Sequence, residues 1–145
     1  METPFLNAKD AEVSQSAQKR EIENDLSHEV IGAAVEVQRV LGTGLLESAY
    51  AAALAAELRE RGLPFEREVP VPASYKGQML GVAFRADFLV QGSLLLELKA
   101  VEQTTDLHRA QLLSYLRVSG LRLGLLINFH AFPVARGIKR VVNQL

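Results

Sequence analysis

Cysteine is absent from the 145 residues, which excludes thiol nucleophiles, thiolate zinc sites and a disulfide framework and makes a reducing cytoplasm the expected home. Histidine is scarce. His28, His108 and His130 lie too far apart for the i, i+4 pair of a helical zinc site. No uncharged apolar run approaches the length that spans a bilayer, and the opening METPFLNAKDAEV has neither the basic nor the apolar segment of a secretory leader, so membrane insertion and secretion are disfavoured. Acidic side chains also run out: none follows Asp106, whereas Arg109, Arg117, Arg122, Arg136, Lys139 and Arg140 do. Residues 1–70 carry 7 basic and 13 acidic groups and residues 71–145 carry 9 and 4, so the net charge of −1 conceals an acidic front and a basic rear. Such a rear either neutralises phosphates locally or is a solvated face with no partner.

With 48% apolar and 23% charged residues the chain is expected to be a soluble globular protein. Folding at this length buries roughly 70% of the unfolded surface, enough for one core without staples. Residues 1–24, polar and poor in large apolar groups, suggest a flexible tail before a single domain at 25–145. Ser27 is the expected N-cap of a first helix, with Leu26 and Ile31 as its hydrophobic staple; Val30, Ile31, Ala34, Val37 and Leu41 recur at helical spacing until Gly42. An alanine-rich second helix is expected from about Gly44 to Arg61, ended by Gly62 and Pro64. FEREVPVPASY, GVAFRADFLV and SLLLELKA then suggest a three-stranded antiparallel meander whose first strand Pro70 and Pro72 push to an edge. Thr105 or Asp106 caps a helix closed by Gly120, LRLGLLINF is a buried strand that returns beside the others, and VARGIKRVV is a last short strand or helix. The order α-α-β-β-β-α-β describes an α/β fold, a mixed central sheet flanked by helices.

Side chains alternate across a strand, so in SLLLELKA Glu97 and Lys99 share one face with Leu95 while Leu94, Leu96 and Leu98 share the other. A solvated amphipathic edge has the same pattern. In a central strand, though, a carboxylate beside an ammonium is costly unless each is paired or binds an ion. Asp87 interrupts the apolar run upstream, and an odd-numbered loop such as Gln91-Gly92-Ser93 places it opposite Glu97; an even loop puts it on the wrong face. Glu47 precedes Tyr50, Leu54 and Leu58 on the stripe of helix two that should face the core, or is a first-turn glutamate that favours the helix dipole. Gln111 and Tyr115 share a helix face with His108 and also fit the part of satisfied polar core groups. Gly42 and Gly44, flanking a sharp turn, are assigned no chemistry.

Asp87, nine residues, then Glu97-Leu98-Lys99 resembles the D…(D/E)xK signature of the PD-(D/E)xK nuclease superfamily, with Ala86 where proline often stands. Gly44-Leu-Leu-Glu47-Ser-Ala-Tyr50 resembles the motif that names the GxxExxY family within it, and Gln111-Leu-Leu-Ser-Tyr115 is similar to the QxxxY motif of RecB-type members. The resemblance covers about residues 26–142 and implies a restriction-endonuclease-like core and a metal-dependent nuclease. On that likeness Glu47, Asp87, Glu97 and the carbonyl of Leu98 would hold Mg²⁺ or Mn²⁺, Lys99 would orient or deprotonate a metal-activated water, and Gln111 and Tyr115 would position substrate or nucleophile. The implied partner is nucleic acid, DNA before RNA, held through its backbone; no membrane partner is expected and a homodimer is left open. The competing reading is a catalytically silent module that keeps the fold for binding or assembly.

Overall fold

The computed structural model describes the backbone of residues 8–144 and the side chains of residues 14–144. The elements are α1 (Ala8–Leu41), α2 (Glu47–Glu60), β1 (Phe65–Tyr75), β2 (Gln78–Val90), β3 (Leu94–Lys99), α3 (Asp106–Ser119), β4 (Leu123–Asn128), a 3-10 turn (Val134–Gly137) and β5 (Ile138–Val142). The strands form one sheet in the order β1-β2-β3-β4-β5, and only β3 and β4 are parallel. A parallel pair needs a long crossover, which α3 provides. β1 lies at an edge, where the missing N–H groups of Pro70 and Pro72 cost no ladder to a further strand. The expected order of elements and the mixed sheet with helical layers are thus what the chain forms, with VARGIKRVV divided into turn and strand.

The sheet parts the apolar interior in two. Leu94, Leu96 and Leu98 of β3 pack with Val30, Ala34 and Val37 of α1 and Tyr50, Leu54 and Leu58 of α2, while Leu95 packs with Leu112 and Leu116 of α3. Each such leucine, fully buried, stabilises the fold by about 1.5–3 kcal/mol before entropy is counted. Gly124 lets α3 approach closely: a Cβ there would stand 3.0 Å from Leu112 Cδ1. Thr105 caps α3, its Oγ1 accepting from the His108 amide at 3.4 Å while His108 Nδ1 accepts from the Thr105 amide at 3.1 Å. Gly120 closes α3 in the left-handed conformation, φ 72°. No helix of the described residues is long and apolar enough to cross a membrane.

Two boundaries differ from expectation. α1 is helical from Ala8, so the division at residues 24 and 25 falls inside a helix; Ser27 caps nothing and its hydroxyl donates to the Asn24 carbonyl at 3.2 Å. Residues 14–22 of this helix are exposed, and the first buried side chain among the described residues is Glu23, ion-paired with Arg122 at 2.9 Å. Residues 1–7 of the expected tail lie outside the described residues. α2 starts at Glu47 instead of Gly44, because Gly44 takes φ 92° and cannot be part of a right-handed helix.

Candidate active site

β2 and β3 are joined by the three residues Gln91, Gly92 and Ser93, and their ladder runs Val90↔Leu94, Leu89↔Leu95, Phe88↔Leu96. The next step brings Asp87 against Glu97, as loop parity requires. There the backbone ladder stops and side chains take over: the Leu98 amide donates to Asp87 Oδ2 at 2.8 Å, and the Asp87 amide reaches Glu97 Oε1 at 3.5 Å. Each carboxylate is plugged into the backbone of the opposite strand, and the two strands part around them.

The same point is a turnover in the sheet. Phe84 and Ala86 lie in the α3-side cluster, yet Phe88 and Val90, of the same parity, lie in the α1/α2-side cluster. Regular alternation cannot do this. β1 switches with it, Phe65 packing on one side and Val69 and Val71 on the other. Between them Glu68 takes φ 50°, a left-handed conformation uncommon outside glycine and asparagine. The reversal turns Asp87 toward a cleft of about 200 Å³ whose walls include Glu47, Ser48, Arg67, Glu68 and Leu98.

The electrostatics follow from this wedge. Burial, then the charge of Asp87, pushes the Glu97 carboxyl up to about 8, against the opposing pull of the Asp87 amide and Lys99. Asp87 is raised by burial and by the charge of Glu68, with the Leu98 amide and Lys99 pulling the other way. Glu47, exposed at the first turn of α2, is raised by partial burial and by Asp87 and lowered by Lys99. Tyr115, stacked on Phe84 with ring centroids 4.0 Å apart, has its phenol raised by burial and then by Glu97 and Asp87. Asp87, Glu97, Lys99, Glu47 and Tyr115 therefore share one electrostatic neighbourhood. Gln111 is exposed on α3, and among the described residues no hydrogen bond ties its side chain to that group. His108 serves the cap of α3.

Three supports lie outside the expected site residues, and of the three only Tyr50 was expected to face the core. Tyr50, fully buried and stacked on Phe129 at 4.8 Å, donates its hydroxyl to the Gly42 carbonyl at 2.8 Å and accepts from the Leu45 amide at 3.2 Å, folding the turn that presents Glu47. Asn128, opposite Lys99 in the parallel ladder, binds both backbone groups of Val101 and accepts from the His130 amide. Gln38, buried in α1, holds the loop after β4 by three hydrogen bonds. A polar residue on an amphipathic helix gives no sequence signal for such a task; only Tyr50 stood in a motif.

The oxygen donors among the cleft residues are the carboxylates of Glu47, Glu68 and Asp87 and the hydroxyl of Ser48, with the Arg67 guanidinium beside them; carboxylates suit a hard divalent cation. Among the described residues no three His, Asp or Glu side chains are gathered into a ready-made cage. Mg²⁺ needs none, since one or two carboxylates with waters and substrate phosphate are its usual set. Burial first, and then the charge of Asp87, makes ionised Glu97 costly, a cost that a cation bound beside it would offset.

A mixed five-stranded sheet with helices on both faces, opening around an Asp and a Glu-x-Lys, defines a restriction-endonuclease-like α/β protein. The chain belongs to the PD-(D/E)XK nuclease superfamily, whose sequence model matches residues 24–141. No curated protein and no solved structure matches it.

Proposed function

We propose that the protein is a divalent-metal-dependent nuclease that hydrolyses phosphodiester bonds, of the GxxExxY branch and active on DNA before RNA, in the reducing cytoplasm that a chain without cysteine suits. The observation that carries this reading is the Asp87–Glu97 wedge with Lys99 two residues on along the same strand. Asp87, Glu97 and the Leu98 carbonyl would hold Mg²⁺ or Mn²⁺, with Glu47 acting from the opposite wall. Bound there, the ion supplies an acidified water and neutralises charge that builds on the phosphate. Lys99 orients the attacking water and adds fixed positive charge beside the reacting phosphorus. Glu97 must give up its proton for the site to fill, so occupancy rises with pH. Tyr115, placed near the two carboxylates, offers a hydroxyl to the substrate phosphate, and Gln111 one turn earlier is free to reach the same strand. The exposed basic groups after Asp106, among them Arg109, Arg117 and Arg136, supply backbone contacts that carry no base sequence.

The test is purified protein with labelled single-stranded and duplex DNA and RNA in Mg²⁺, Mn²⁺ or EDTA. Cleavage that needs the ion and is lost in Asp87→Asn is expected; binding without turnover under every ion would favour a silent module instead.

A further inference from the structure

Large apolar side chains left in water are not spread evenly. Leu46 and Phe132, each 78% exposed, are the barest of the large hydrophobic residues described, and both stand on loops that border the site. Leu46 immediately precedes Glu47. The loop of Phe132 leaves the sheet beside Lys99: Asn128 is the register partner of Lys99, and the next amide, of Phe129, donates to the Lys99 carbonyl at 2.9 Å.

The loop is not loose. The Gln38 amide donates to the carbonyls of Phe129 at 3.0 Å and Ala131 at 2.5 Å, and its oxygen accepts from the Val134 amide at 2.8 Å, so the chain is pinned on both sides of Phe132. His130 joins this loop to the other one, its Nε2 meeting the Leu45 carbonyl at 3.0 Å. A buried glutamine thus holds a phenyl ring outward in water, at the end of the sheet where Lys99 and Glu47 stand. Arg136 is the nearest formal charge to Phe132 along the chain, and no acidic side chain follows Asp106.

We propose that Phe132 is a stacking platform for an unpaired base next to the scissile phosphate, so that the substrate is a single strand or an unpaired end. The inference rests on the nuclease reading of the adjoining site. Rigid aromatic rings on a positive surface take any base by its π-face, whereas the stacked interior of a duplex presents no free face. That chemistry selects strand state and leaves sequence unread.

The experiment measures binding of 2-aminopurine oligonucleotides, single-stranded and duplex closed by hairpin loops of abasic spacer at both ends, in EDTA and in Ca²⁺, with Phe132→Ala and Phe132→Trp. Loss of one base stack corresponds to roughly 5- to 150-fold weaker binding of the single strand by Phe132→Ala. Binding of the closed duplex should be unchanged, tryptophan should restore the affinity and quench the probe, and melting temperatures should match wild type because the ring is exposed. Unchanged single-strand affinity in Phe132→Ala, an equal loss for duplex, or no single-strand binding by wild type would each overturn the inference. Absence of cleavage by wild type with any ion, together with a selective loss in Phe132→Ala, would sink the nuclease reading and leave base stacking standing.

Discussion

Lys99 and Glu97 are two residues apart on β3 and act on the same charge from opposite sides. Lys99 lowers the cost of ionising Glu47, Asp87 and Glu97, although none of the three is brought back to its ordinary range. Lys99→Ala is therefore expected to abolish cleavage while substrate affinity stays within a few-fold of wild type. One phosphate contact at most is lost, worth a salt slope of about 0.9. Gel-shift titrations at several salt concentrations beside single-turnover assays check both halves, and full activity would make Lys99 a structural residue. The opposition of Asp87 and Glu97 was legible because strand parity is a counting argument that the three-residue loop satisfies. Glu68 was not. Its left-handed backbone is imposed by the reversal of two paired strands, which no local propensity encodes, and its charge on Asp87 follows from that conformation.

At the scale of elements, β1 to β4 and α3 could be read because their signals are local, one alternating run, three apolar runs, Thr105 and Gly120, whereas VARGIKRVV stayed open between strand and helix. The start of α1 could not. Residues 8–24 carry almost no apolar stripe, and what anchors the end of that stretch is non-local: Glu23 pairs with Arg122, 99 positions away, and Asn24 accepts from Arg140. Breaking such a buried pair typically costs about 3–5 kcal/mol, far more than the composition of the segment suggests. The seat of α3 is likewise set by a single absent side chain. Gly124→Val would drive methyl groups into Leu112, where even a Cβ stands 3.0 Å away, and should destabilise by about 1–3 kcal/mol. Urea denaturation measures this. Because Tyr115 rides on the same helix, the variant should also lose activity in conditions where it remains folded.

For the whole molecule, the raised carboxylates make stability depend on pH in an unusual direction. Glu97 holds its proton to about 8 in the folded protein against an ordinary value of 4.5, so between those limits the native state binds a proton that the unfolded chain does not. Its contribution is present below pH 4.5 and is lost as the pH rises toward 8; Asp87 and Glu47, also raised, act with the same sign. In EDTA the melting temperature should fall from pH 5 to pH 8, and Glu97→Gln should flatten the slope. Saturating Mn²⁺ takes the place of the proton, so its stabilisation, about 2.7 kcal/mol at 100 times the dissociation constant, should be largest at the alkaline end. A melting temperature that is level across this range without metal would mean that Glu97 ionises freely.

The division of the interior by the sheet has a dynamic consequence. The cluster beneath α1 and α2 holds nineteen buried residues among those described, the one beneath α3 seven. Cooperative opening units follow buried contacts, so the two layers should not breathe together. Lifting α3 exposes less apolar surface than lifting α1, and it would carry Tyr115 and Gln111 away while β3, with Glu97 and Lys99, stays paired to β4. Amide hydrogen exchange should accordingly rank α3 well ahead of β3 and β4.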